Sequence, residues 1–65
     1  MKITVNAQPH EVASAALAEA LAELGFPGDS VATALNGQFV PRTARAATVL
    51  TEGDQLEVLA PMQGG

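Results

Sequence analysis

Side chains able to do covalent or acid–base chemistry are scarce in this 65-residue sequence. It has no cysteine and one histidine, His10. A thiolate nucleophile and a Ser/His/Asp or Cys/His set are therefore excluded, and one imidazole does not make a zinc site. The carboxylates Glu11, Glu19, Glu23, Asp29, Glu52, Asp54 and Glu57 fall on predicted turns and solvent-facing positions. There they read as solvated surface charges rather than as a general acid–base pair. His10 reads as a partly packed strand residue. Arg42 and Arg45 read as ordinary surface charges, the alternative being an anchoring pair for a partner. No GxxxxGK[ST] loop is present to cradle phosphates. What remains is the end of the sequence, Ala60-Pro61-Met62-Gln63-Gly64-Gly65. A closing Gly-Gly arises by chance in roughly one chain in two hundred, so the pair is a weak signal alone. Its chemistry is nevertheless readable. A terminal carboxylate is ionised at neutral pH and is a poor acyl donor until activated, for example as a mixed anhydride with a nucleotide phosphate. Without a Cβ, Gly64 and Gly65 can thread a narrow channel and leave the acyl carbon unhindered.

The elements behind that end must be a single small domain. A chain this short buries only about 60% of the surface its unfolded form exposes. With no disulfide available, stability rests on apolar burial, and 48% of the residues are apolar. A domain of this size is expected to lack a pocket of about 300 Å³ or more. The net charge of −4 and the absence of Tyr and Trp argue against nucleic acid, which asks for basic patches and stacking aromatics. No apolar run approaches the roughly 20 residues of a membrane span. The opening MKITVNAQPHEV lacks the apolar stretch of a signal peptide, so the expected location is the cytoplasm.

Met1, Ile3 and Val5 alternate with Lys2, Thr4 and Asn6, the period of a half-buried strand. Asn6-Ala7-Gln8 offers a turn, and Gln8 to Val12 a return strand in which Pro9 suits a sheet edge. The pattern then changes to helical spacing. Leu17, Ala20, Leu21 and Leu24 share one face, Ser14 is the expected N-cap and Gly25 the expected stop. An eleven-residue helix of about 15 Å follows from those limits. Val31, Thr33 and Leu35 alternate with Ala32 and Ala34 in a further strand. Asn36-Gly37 is the strongest hairpin turn of the chain and leads into the short strand QFV, which Pro41 ends. PRTARAA reads as a crossing segment with at most one helical turn, and TEGD as another tight turn. In QLEVLA, Leu56 and Val58 point inward while Gln55, Glu57 and Leu59 point outward. The fold class is α+β: a small sheet of four or five strands covered on one face by a single helix. Residues 1–61 form the domain and 62–65 a flexible tail.

The stretches ALNGQFVPR and LTEGDQLEVLAPMQGG resemble the ThiS family, the sulfur carriers of thiamine thiazole biosynthesis. The marks are Asn36-Gly37, Val40-Pro41-Arg42, Gly53-Asp54 and the closing Gly64-Gly65. The resemblance runs over nearly the whole chain. It implies the ubiquitin-like β-grasp fold, a mixed sheet with first and last strands adjacent and parallel. It also implies a protein co-substrate rather than an enzyme. A ubiquitin-activating-like adenylyltransferase would use ATP to adenylate Gly65. A cysteine desulfurase route would supply sulfur for a thiocarboxylate, and thiazole synthase would consume it. The carrier itself would bind no cofactor and no metal and would be a monomer on its own. Met62, Gln63 and Gly64 would thread the partner's channel. Leu59, Ala34 and Ala32, on the uncovered face by the alternation, would form the partner interface. Three departures stand out: Ala7 follows Asn6 where the family commonly has Gly, the segment before Ser14 is a residue shorter than in the family, and RTARAA lacks an aromatic residue often found there. Competing readings are the small-subunit carrier of molybdopterin synthesis, a modifier that bonds Gly65 to lysines, and a β-grasp interaction domain with an inert tail.

Overall fold

The computed structural model describes Met1 to Ala60. Strands β1 (Lys2–Val5), β2 (Gln8–Glu11), β3 (Ala32–Leu35), β4 (Gln38–Val40) and β5 (Gln55–Leu59) form one sheet in the order β2-β1-β5-β3-β4. The first and last strands are adjacent and parallel, with Thr4 opposite Gln55 and Val5 opposite Leu56. All other pairings are antiparallel. A single helix, α1 (Leu17–Glu23), covers one face, and short 3-10 helices lie at Gly28–Ser30 and Arg42–Ala47. This is the ubiquitin-like β-grasp arrangement, with five strands and a mixed sheet. Among the described residues no helix is long and apolar enough to cross a membrane.

The core follows from the two periodicities meeting. Ile3 and Val5 of β1, Leu56 and Val58 of β5 and Val40 of β4 face Leu17, Ala20 and Leu21 of α1, with Val12 and Leu50 closing the ends. Leu24 packs against this cluster half-buried, as its place on the apolar helix face requires. Gly25, at φ 86°, ends α1, and the Phe26 N–H reaches back to the Leu21 carbonyl at 2.9 Å. That pair of features is a Schellman stop.

The start of α1 differs from expectation. Ser14 is not the N-cap, and the helix has seven residues rather than eleven. Ala16 occupies the cap position in extended conformation, with no side-chain cap bond. The reason is tertiary. Ala16 bridges Val49, the Leu17 N–H donates to the Thr48 carbonyl at 2.9 Å, and the Leu50 N–H donates to the Ala15 carbonyl at 2.7 Å. These bonds hold Ala15 and Ala16 extended and satisfy a helix-start N–H without a side chain. Ser14 is used differently. Its N–H and hydroxyl, with the Ala13 N–H, donate to the Glu23 carboxylate at 2.9 to 3.1 Å. The Ala13 and Ser14 amides, then the Ser14 hydroxyl, hold the Glu23 carboxyl below its ordinary range.

Two side chains expected at the surface are in the interior. Arg45 is buried, and so is Thr33 beside it. The guanidinium donates from Nε to Thr33 Oγ1 at 3.1 Å, from Nη1 to the Gly28 carbonyl at 2.8 Å and from Nη2 to the Val31 carbonyl at 2.7 Å. The Thr33 hydroxyl in turn donates a hydrogen bond to the Val40 carbonyl at 2.8 Å. In a crossing segment without an aromatic residue, Arg45 thus fills interior space with its stem and ties the Gly28–Val31 loop to β3 with its head. Arg42 alone is an exposed charge, paired with Asp29 at 2.9 Å. Asp54 is the second correction: it is buried at the TEGD turn rather than solvated. It accepts from the Thr51 N–H at 2.8 Å, the Thr51 hydroxyl at 3.0 Å and the Asn36 amide at 3.1 Å. Burial pushes its carboxyl up, but these donors together outweigh burial and hold it below the ordinary value.

Candidate functional site

The site is built on β5, the strand that runs out of the fold toward the C-terminal residues. Its alternation places Leu56 and Val58 in the core and leaves Gln55, Glu57 and Leu59 on the uncovered face of the sheet. β1 ends opposite Leu56, so the last part of β5 has no β1 neighbour on that side. The Asn6 side chain supplies one. Its Oδ1 accepts from the Val58 N–H at 2.9 Å and its Nδ2 donates to the Val58 carbonyl at 3.1 Å. Asn6 therefore finishes the hydrogen bonding of a buried residue that would otherwise leave both backbone groups unpaired on that side. On the other flank, Ala32 of β3 lies opposite Leu59 and Ala34 opposite Glu57.

The expected interface residues are brought together. Leu59 is 69% exposed, Ala32 beside it is exposed, and Ala34 is half-buried on the same face. Phe39 belongs with them and was missed by the sequence reading. It lies directly opposite Ala34 on the edge strand β4, on the uncovered face, and is 70% exposed. The signal was present: Val40 is inward, so its neighbour Phe39 must be outward. The uncovered face is thus divided. Its β5–β3–β4 side carries Leu59, Ala32, Ala34 and Phe39, and its β2–β1 side carries Lys2, Thr4, Pro9 and Glu11.

Where β5 leaves the sheet there is an open groove of about 370 Å³, lined by Asp29, Ser30, Val31, Ala32, Leu59 and Ala60. It is a shallow surface groove open to solvent, not the enclosing pocket that a domain of this size was expected to lack. The Gly28–Val31 loop, held from behind by Arg45, makes one wall. His10, expected to be partly packed, is exposed on the edge strand β2, beyond the cover of the helix. The positions expected to do the chemistry or to thread a channel, Met62, Gln63, Gly64 and Gly65, lie outside the described residues, as does the boundary set at Pro61. What the described part offers chemically is a rigid base for the strand leading to them, an apolar patch beside it and a groove at its exit.

A ThiS family model matches residues 3–65. The chain belongs to the ThiS family. The crystal structure of the thiamine biosynthesis protein ThiS from Geobacter metallireducens superposes with a TM-score of 0.83 at 36% identity, all of each chain being covered. The solution structure of a thiamine biosynthesis protein from the same organism superposes with a TM-score of 0.80 at 36% identity, over all of this chain and 88% of that one. Two curated relatives are named thiazole synthase. The one from Magnetococcus marinus is 41% identical over 66 residues and the one from Paramagnetospirillum magneticum 33% identical over 66 residues. Each match takes in all of this chain but only 20% of the relative, so the chain spans about a fifth of the length of the curated relatives it matches.

Proposed function

We propose that this chain is a sulfur carrier of thiamine biosynthesis, working in the cytoplasm as a protein co-substrate rather than as an enzyme. One observation carries the reading: the family match extends through Gly64-Gly65, in a chain whose side chains include no nucleophilic cysteine. The reactive group is the α-carboxylate of Gly65. An ATP-using, ubiquitin-activating-like adenylyltransferase joins it to AMP and releases pyrophosphate, which turns a poor acyl donor into a good one. A sulfur nucleophile delivered by a cysteine desulfurase attacks that carbonyl and expels AMP, leaving a thiocarboxylate. Thiazole synthase then takes the sulfur into the thiazole ring. The relatives named thiazole synthase, which include a stretch like this chain within their own length, support that pairing.

This chain's contribution is delivery. Gly64 and Gly65, having no Cβ, can enter a confined site, with Gln63 and Met62 following. The Leu59, Ala34 and Ala32 surface meets the partner while β5, braced by Asn6, carries the end of the chain forward. The carrier binds no cofactor itself and is a monomer alone. The ThiS neighbours favour the thiazole carrier over the molybdopterin-type carrier and over an inert interaction domain.

The test is an intact-mass measurement after incubation with the cognate adenylyltransferase, ATP and a sulfur source. Replacement of one oxygen by one sulfur at Gly65, lost when Gly65 alone is deleted, is the expected result. An unchanged mass with an active cognate enzyme would overturn the carrier reading.

A further inference from the structure

A second cleft, of about 240 Å³, lies between α1, the Gly28–Ser30 turn and the Arg42–Ala47 segment. Its lining is of two kinds. Leu21, Ala22 and Phe26 supply apolar surface, and Arg42, Arg45 and Asp29 supply charge. The sign of that charge runs against the rest of the chain. The net charge is −4 with three basic residues in all, and two of the three line this cleft. Asp29 answers Arg42, with which it is ion-paired at 2.9 Å. No carboxylate answers Arg45. It is 4% exposed, and among the described residues its guanidinium has no ion-pair partner. Its three acceptors, the Thr33 hydroxyl and the Gly28 and Val31 carbonyls, are neutral and take three of its five N–H bonds. The other two N–H bonds have no acceptor among the described residues. A cation taken out of water and held by neutral dipoles alone is costly, and an anion brought to it recovers part of that cost.

We propose that this cleft binds a small organic monoanion, a carboxylate carried on a short apolar body. The carboxylate takes the free N–H bonds of Arg45, with the Arg42 charge beside it, and the apolar body lies on Leu21, Ala22 and Phe26. Size selects a small molecule. The cleft falls just under the usual lower limit of about 300 Å³ for ligand pockets, which leaves room for one ring or one branched chain. A bare inorganic anion would meet the arginines and leave the apolar surface in water. The proposal is independent of the sulfur-carrier reading, but the site lies close to the delivery end of the molecule. Asp29 lines both this cleft and the groove at the exit of β5, and Arg45 holds the loop that walls that groove. A ligand on Arg45 therefore acts on the loop beside which β5 leaves the fold.

The experiment is a nuclear magnetic resonance titration of the isotope-labelled full chain with sodium benzoate at neutral pH and constant ionic strength. Saturable shifts are expected at the Arg45 Nε–H and at the Ala22, Phe26 and Gly28 amides, with a Kd of about 1 mM. Sodium acetate, which lacks the apolar body, should bind about tenfold more weakly. Benzamide, which lacks the charge, should give no saturable shift there. Ala22→Leu is the deciding variant, because Arg45 also supports the fold and its removal would mix two roles. It fills the cleft from an exposed helix position with a good helix former, so it should keep the fold and weaken benzoate about tenfold. Arg42→Gln should weaken it about threefold, and less at high salt. No saturable shift below about 30 mM benzoate would overturn the proposal, since that is well above the affinity a built site of this size should reach. Equal binding of benzamide, or undiminished binding to folded Ala22→Leu, would also overturn it. Inorganic phosphate binding at Arg45 as tightly as benzoate would assign the cleft to bare anions and overturn the organic ligand.

Discussion

The two hairpin turns of this protein do the same work with different residues. Asn6-Ala7 joins β1 to β2 and Asn36-Gly37 joins β3 to β4, each as a two-residue turn with positive φ at both positions. In both, the asparagine side chain reaches β5. Asn6 pairs with both backbone groups of Val58, whereas Asn36 accepts from the Gln55 N–H at 2.9 Å and donates to Asp54. Because β1 runs parallel to β5 and β3 antiparallel, the two asparagines grip the strand from opposite sides and near opposite ends. The grip at the far end holds neutral, buried backbone, and the grip at the near end holds an ionised carboxylate. The comparison teaches that an αL asparagine here is chosen for its amide as well as for its tolerance of positive φ.

The largest expected effect comes from removing the far grip. Asn6→Ala leaves the N–H and C=O of buried Val58 unpaired on one side and places alanine at φ 51°. Two lost hydrogen bonds and the αL penalty together destabilise the fold by about 2–3 kcal/mol. Urea unfolding followed by circular dichroism measures it. A loss no greater than that of Asn36→Ala would break the comparison, since it would mean that the end of β5 needs no brace.

Asn36→Ala also loses two bonds and places alanine at φ 50°, but it should cost less, about 1–2 kcal/mol, because the exposed Gln55 N–H can turn to water and Asp54 keeps both of its bonds from Thr51. It should also differ in kind. Asp54 has a folded pKa held below its ordinary value of 3.8. Its contribution is therefore complete above that ordinary value and is lost as pH falls through the lower folded one. The penalty of Asn36→Ala should shrink over that acidic window, while the penalty of Asn6→Ala should stay level. Denaturant midpoints for both variants, taken from neutral pH downward, would sharpen the contrast; parallel curves would remove it. Asp54→Asn, which removes the titrating charge and keeps one acceptor oxygen, should flatten the curve of Asn36→Ala.

This pair of turns also marks what a sequence makes legible. KITV, ATAL and QLEVL are readable as strands because one face of each is buried, so period two survives in the residues themselves. Asn36-Gly37 is readable because its chemistry is local. Ser14 was misleading because the N–H it was expected to cap is satisfied by the carbonyl of Thr48, a non-local backbone group that no residue type announces. Arg45 was misleading for the same reason: two of its three acceptors are carbonyls, and a charged residue reads as surface by default. Asp54 sits in a stretch with every mark of an exposed turn, yet Asn36 is laid over it by tertiary structure. At the candidate site, Leu59, Ala32 and Ala34 were legible from alternation, and so was Phe39 in principle, in a strand of only three residues.

The smallest effects test the second residue of each turn. Gly37 is at φ 86° with open space where a Cβ would go, so Gly37→Ala meets no clash and introduces backbone strain alone, costing about 1 kcal/mol. Ala7 already bears that strain at φ 70°. Ala7→Gly relieves it but gives the unfolded chain more freedom, which offsets part of the gain. The net stabilisation should be about 0.5 kcal/mol, read as a small rise in the denaturant midpoint with an unchanged slope. The two substitutions are then near mirror images, equal in strain and unequal only through the unfolded state. If Ala7→Gly is neutral or destabilising while Gly37→Ala behaves as stated, the turns are alike in dihedral angles but not in strain. The brace from Asn6 to Val58 would then be sharing the load of Ala7, and the double substitution Asn6→Ala, Ala7→Gly would show it as a departure from additivity.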